Sequence, residues 1–308
     1  MPSPPRIVSL VPSGTEALFA LGLGAQVVGV SHACDWPPAA GLLPRLTRTR
    51  VDGGAPGQAI DDQVRDLLAA GEPLYDVDLR LLEELTPTLI VTQSQCEVCA
   101  VHYDDVIGWV ESSPRLRSAQ VLGLNPRRLD DALEDVARIA VAAGAELAGD
   151  ALVARLRGRI QKVAQQVAGA PRVRVACLEW LEPPMLAGNW GPELVHLAGG
   201  VQPLTTAGEH SRYVDWPQIA AADPEVMVVC PCGFGLERAV VEARALTRIE
   251  GWGGLSAVTA GRVFALDGNA YFNRPGPRLV DTLELLAHLL HPDLCAAPVG
   301  GCWQAVGA

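Results

Sequence analysis

Short, unbroken apolar runs set the strongest limit on what this chain can become. RIVSLV (6–11), VVGVS (27–31), LIVTQ (89–93) and QVLGLN (120–125) occupy the first half, and RVRVACLE (172–179), VMVVCPC (226–232) and RVFALDG (262–268) the second. They are continuous rather than alternating, the pattern of parallel strands covered on both faces. Between them lie stretches with apolar residues at helical spacing, at 57–70, 78–85, 100–111, 128–143, 191–198, 236–247 and 277–290. Strand alternating with helix builds an α/β fold with mainly parallel sheets.

The two groups of runs are joined by a stretch of a different kind. Residues 130–169, DDALEDVARIAVAAGAELAGDALVARLRGRIQKVAQQVAG, are rich in Ala, Leu, Val and Arg and contain no proline. Gly144 and Gly149 are expected to divide it into two helices. The second, from Asp150 to Val167, would be about 27 Å long at 1.5 Å per residue. A helix of that length bridges two lobes, whereas a Gly/Ser linker would leave them loosely tethered. At 308 residues the chain can bury two cores. The expected organisation is an N-terminal α/β lobe over 1–145, a bridging helix over 146–169 and a C-terminal α/β lobe over 170–308, with a ligand cleft between the lobes. Two segments read as irregular: a loop at RTRVDGGAPGQ (48–58) and a tail at AAPVGGCWQAVGA (296–308).

A net charge of −11 argues against nucleic acid and anionic membrane surfaces as partners. No segment approaches the roughly 20 apolar residues of a membrane span, so membrane insertion is not expected. The opening PSPPRIVSLVPSGTEALFALGLGA carries one basic residue, Arg6, and its apolar stretch is interrupted at Pro12–Glu16. It reads as a strand, Arg6–Val11, a turn, and a helix from Thr15 to Leu21, not as an export signal. That reading places the protein in the cytoplasm, where its eight cysteines would be thiols.

Open parallel sheets bind ligands outside the carboxyl ends of their strands. VVGVS runs into His32, Cys34 and Trp36. LIVTQ runs into Cys96, Glu97 and Cys99, and RVRVA into Cys177, Glu179 and Trp180. VMVV runs into Cys230 and Cys232, and RVFALDG into Asn269, Tyr271 and Arg274. Six of the eight cysteines therefore stand at strand ends. His32, Cys34, Cys96, Cys99, Cys177, Cys230 and Cys232 are the candidate metal ligands, suited to zinc or an iron–sulfur cluster. Glu97 and Glu179 are the candidate general bases of such a centre. Cys96-x-x-Cys99 at a helix start also suits thiol–disulfide chemistry, and every one of these cysteines can equally be a small core residue. Cys295 and Cys302, beyond the last helix, receive no role. Aromatics are 5% of the chain, yet Trp36, Trp180, Trp190 and Tyr271 fall in or beside loops, where scarce tryptophans tend to meet a ligand. The sequence lacks G-x-G-x-x-G, P-loop, G-x-S-x-G and H-E-x-x-H patterns, so dinucleotide, phosphate and serine-hydrolase chemistry gain no support.

RIVSLVPSGTEALFALGLGAQVVGVSHACDWPP, PTLIVTQ, DALVARLRGRIQKVAQQVAG and FNRPGPRLVDTLELLAHLLHP together resemble the cobalamin-binding solute receptors of the helical-backbone class, over almost the whole chain and in order. The resemblance implies two α/β lobes bridged by one long helix and a corrinoid held between them. Trp36 would stand on one side, and residues around Trp180 and the Tyr271–Arg274 loop on the other. Flat aromatic rings suit a large macrocycle because they bury area at small entropic cost. The resemblance also implies an ABC permease as partner if the protein is exported. Two readings follow: a receptor for a corrinoid or another metal-containing ligand, and a cytoplasmic metalloprotein or enzyme built on the cysteines.

Overall fold

The computed structural model describes residues 4–95, 98, 100–298 and 301–306. The chain divides into two compact units, residues 1–126 with 130–155, and residues 127–129 with 156–308.

The first unit holds strands β1 (Ile7–Ser9), β2 (Val27–Val30), β3 (Thr47–Thr49), β4 (Tyr75–Val77), β5 (Leu89–Gln93) and β6 (Gln120–Leu124). Its helices are α1 (Pro12–Ala20), α2 (Gly57–Ala69), α3 (Leu79–Leu85), α4 (Tyr103–Ser112), α5 (Leu129–Ala142) and the start of α6 (Glu146–Gln166). Four strands form one sheet in the order β2-β1-β5-β6, all parallel. Every residue of β5 is buried, as its unbroken apolar run requires. Val8 and Ile90 pack with Leu82 of α3 and Val106 and Val110 of α4 in one cluster. Pro12 opens α1 rather than breaking the chain there, because proline at the first helical turn loses no hydrogen bond. Of the segment read as a loop at 48–58, residues 50–56 are irregular, while its ends enter β3 and α2, and β3 pairs antiparallel with β4.

Gly144 (φ +68°) ends α5 in the left-handed conformation that suits glycine. Gly149, by contrast, lies inside α6 and does not interrupt it. A Cβ there would come 2.5 Å from Ala140 Cβ, so this glycine lets α5 and α6 approach closely. The unit boundary falls within α6, between Arg155 and Leu156.

The second unit contains β7 (Val173–Leu181), β8 (Pro184–Leu186), β9 (Gly200–Val201), β10 (Arg212–Tyr213), β11 (Val226–Val229), β12 (Val263–Leu266) and β13 (Trp303–Ala305). Its helices are α7 (Gly191–Leu197), α8 (Trp216–Ala222), α9 (Leu236–Ala245), α10 (Ser256–Thr259) and α11 (Leu279–Leu290). The sheet runs β10-β8-β7-β11-β12-β13, with β9 on the first residues of β7. Its centre, β7-β11-β12, is parallel, and β8 and β13 add antiparallel edges. β13 lies in the stretch expected to be a tail; it pairs Leu266 with Trp303, whose ring meets Phe264 edge-on at 5.5 Å. Arg159 of α6 is held against α11 by Glu284 at 2.7 and 2.9 Å and by Asp281 at 2.5 Å.

Candidate functional site

The carboxyl end of β12 is the most heavily braced part of the second unit. Leu266 is followed by Asp267, whose carboxylate accepts from the backbone N–H groups of Asn269 and Ala270 at 3.0 Å each. Burial pushes the Asp267 carboxyl up, against the pull of those N–H groups and of Arg274 and Arg278. The chain then makes one wide helical turn, Gly268–Phe272, of a kind that recurs at functional sites. The turn rests on the segment after β11. Asn273 Nδ2 donates to Cys230 O at 2.9 Å, and Asn269 N donates to Phe234 O at 3.1 Å. Gly268 is required here, since a Cβ would lie 2.1 Å from Pro231 O. Arg274 is buried and donates to Asn269 Oδ1 at 3.0 Å. Trp190 is also buried, and its Nε1 donates to Phe272 O at 2.8 Å. Its place is behind the turn, bracing it.

Beside this turn, β7 and β11 supply an aromatic shelf. Half-buried Trp180 stands 5.2 Å from the ring of Phe234, and the Arg238 guanidinium lies 3.5 Å over the other aromatic centre, Phe234. Trp180 Nε1 is buried and, among the described residues, has no hydrogen-bond partner. Glu179 is buried and accepts from Ser211 Oγ. Arg278 lies 5.4 Å over Tyr271. Phe234, Arg238, Ser211 and Arg278 were not among the residues singled out from sequence. Only Phe234, five residues beyond the apolar run VMVV, carried a positional signal.

The cysteines do not behave as a set. Cys177 and Cys230 are fully buried on adjacent strands. Burial pushes both thiols well up, that of Cys177 further raised by Glu179 and that of Cys230 by Cys177. Neutral thiols in an apolar interior are poor metal ligands. Cys232 is exposed, and its N–H donates to Glu179 O at 3.0 Å. In the first unit Cys34 is wholly buried, with Thr15 Oγ1 at 3.0 Å and Ser31 Oγ at 3.1 Å from its sulfur. His32 points to Thr47 Oγ1 at 2.6 Å, and its ring lies 5.4 Å from that of Tyr75. Burial and then Arg45 lower its pKa. Among the described residues, no three His, Cys, Asp or Glu side chains come together to hold a metal ion. Cys96, Glu97 and Cys99 lie outside the described residues. Trp36, which follows β2, is 46% exposed.

Comparison with known proteins accounts for this architecture. An uncharacterized ABC transporter substrate-binding lipoprotein of Bacillus subtilis, YvrC, is 22% identical over 94% of this chain and 81% of its own length. The vitamin B12-binding protein of Vibrio cholerae is 24% identical over 91% of this chain and 86% of its own. A solved periplasmic heme binding protein from Pseudomonas aeruginosa superposes with a TM-score of 0.74 at 18% identity, covering 99% of each chain. The expected cytoplasmic location does not stand, because the relatives are lipoproteins and periplasmic proteins. Of the opening residues, Ile7–Ser9 form β1 and Pro12–Ala20 form α1 of the domain itself. With residues 7–270 matching the family described as periplasmic binding protein, this chain belongs to that family.

Proposed function

We propose that this protein is the substrate-binding component of an ABC uptake system and that its ligand is a metal-bearing tetrapyrrole, a corrinoid before heme. One observation carries the reading. Trp180 presents an aromatic face at a strand end while its buried Nε1 has no partner among the described residues. A buried donor without a partner costs about 1–3 kcal/mol, and a ligand oxygen that reaches Nε1 in the plane of the indole removes that cost. Corrinoids carry amide oxygens around the rim of a broad apolar ring. Tyr271, Asn269 and Arg274 on the turn after β12 complete the proposed contacts. Relatives named for vitamin B12 and for heme agree with a ligand of this shape.

A permease partner follows from the family. The zinc and iron–sulfur alternatives have no support, since among the described residues no metal-binding cluster forms. The test is a fluorescence titration with cyanocobalamin and, separately, hemin. Quenching that saturates with one probe, and is reduced in Trp180→Ala, supports the proposal. No saturable quenching by either probe removes it.

A further inference from the structure

Trp180, the aromatic contact proposed above, stands near the end of a strand whose regular alternation would point it into the core. We infer that a β-bulge at Glu179, latched by Ser211, is what turns Trp180 toward the ligand, so that Glu179 and Ser211 are positioning residues for it. The inference rests on the ligand reading above for its consequence in binding, and on the structure alone for the bulge and its latch.

The bulge is visible in the pairing of β7 with β8. Leu178 stands opposite Leu186 and Trp180 opposite Met185, so two steps along β7 face one step along β8. Glu179 is the extra residue, and a bulge of this kind re-aims the side chains beside it. The core records the change of phase. Ala176, Leu178 and Leu181 share one hydrophobic cluster, although a regular strand places only residues an even number of positions apart on one face. Without the bulge Trp180 would follow Leu178 into that cluster. With it, Leu181 takes the place, and Trp180 is left half-buried beside Phe234, 5.2 Å between ring centres.

The bulge is held from both sides. Toward β11, Cys232 N donates to Glu179 O at 3.0 Å. Toward the sheet edge, the buried Glu179 carboxylate accepts from Ser211 Oγ, which in turn accepts from Gly188 N at 3.1 Å. Ser211 directly precedes β10, the partner of β8. Gly188 follows β8 closely, at a point where a Cβ would collide with the backbone of His210 and Ser211. One hydroxyl thus ties the bulge residue of β7 to the segments that end β8 and begin β10. Losing it deprives the Gly188 N–H and the carboxylate of that shared partner, and an unlatched bulge lets Trp180 leave its place. The binding cost then comes from a misplaced ring and not from a lost ligand contact.

The experiment is a double-mutant cycle on the full chain. Ser211→Ala and Glu179→Ala are each expected to weaken cyanocobalamin or hemin binding about three- to tenfold, the worth of one hydrogen bond. The double variant is expected to be no weaker than the weaker single one, and Ser211→Thr, which keeps the hydroxyl, to retain most of the affinity. In parallel, unliganded protein carrying labelled indoles is observed by NMR. Ser211→Ala should move, among the seven tryptophan signals, the one missing in Trp180→Phe. The signal missing in Trp303→Phe should stay, since β13 is the opposite edge of the sheet. Additive losses, unchanged affinity in both single variants, or an unmoved Trp180 signal overturn the inference. Should neither probe bind the wild-type protein, the ligand reading fails while the NMR result still decides whether Ser211 aims Trp180.

Discussion

Gly268→Ala is the sharpest structural perturbation available at the proposed site. A Cβ at this position would lie 2.1 Å from Pro231 O and 2.7 Å from both C and O of Cys230. All three are backbone atoms at the end of a central strand and cannot swing aside, so the turn must lift by about 1 Å to reach ordinary contact. Lifting breaks the two bonds that seat it, Asn273 to Cys230 O at 2.9 Å and Asn269 to Phe234 O at 3.1 Å. Two hydrogen bonds at about 1 kcal/mol each, with overpacking of about 1–3 kcal/mol, give a loss of about 3–5 kcal/mol. Urea unfolding followed by tryptophan fluorescence measures it, with Gly254→Ala as control, since nothing lies within 4 Å of a Cβ there. The control should stay within about 0.5 kcal/mol of wild type. A Gly268→Ala protein equally close to wild type would refute the seating of the turn on β11 and the site built upon it.

Further predictions concern one tryptophan, a buried thiol and a buried acid. Trp180→Ala should weaken tetrapyrrole binding roughly tenfold or more, because this ring at the end of β7 is the proposed aromatic contact; a titration with cyanocobalamin and with hemin checks it. Cys34→Ala should cost about 1–2 kcal/mol, from a small cavity and the contacts to Thr15 and Ser31, and should leave the metal content of the purified protein unchanged by elemental analysis. Asp135 is pushed up to about 6 from 3.8 by burial, against the pull of Arg138. Because its folded pKa is raised, the stability tied to its protonated form is complete below about pH 4 and lost as pH rises through 6. Asp135→Asn should therefore be more stable than wild type at pH 8, by up to about 3 kcal/mol, with the gain gone at pH 4; urea midpoints at the two pH values read it.

Much of the framework could be read from the chain because its central strands are buried on both faces. LIV and VMVV are apolar without interruption, and every residue of β5, Thr92 and Gln93 included, and of β11 is buried. The short edge strands left no such trace. β8, β9, β10 and β13 span two or three residues each and exist through their partners, as Trp303 shows by packing on Phe264. Gly149 was expected to divide the long helical stretch, since glycine weakens helices. Its neighbour Ala140 supplies the opposing reason, close packing, which only the tertiary structure reveals.

The strand ends were the right place to look, but position along the chain did not say which side chains face outward. Cys177, Glu179 and Cys230 are all buried, whereas Trp180 at the end of β7 is half-buried and Cys232 is exposed. Trp190 looked like a loop aromatic and is a buried brace for Phe272.

The central claim is that this receptor holds a metal-bearing tetrapyrrole. Its most direct test is elemental analysis for cobalt and iron after the protein is incubated with excess cyanocobalamin or hemin and desalted. Near-stoichiometric cobalt retained from cyanocobalamin is the predicted result, and iron retained only from hemin would reassign the ligand to heme. Retention of neither metal would contradict the account.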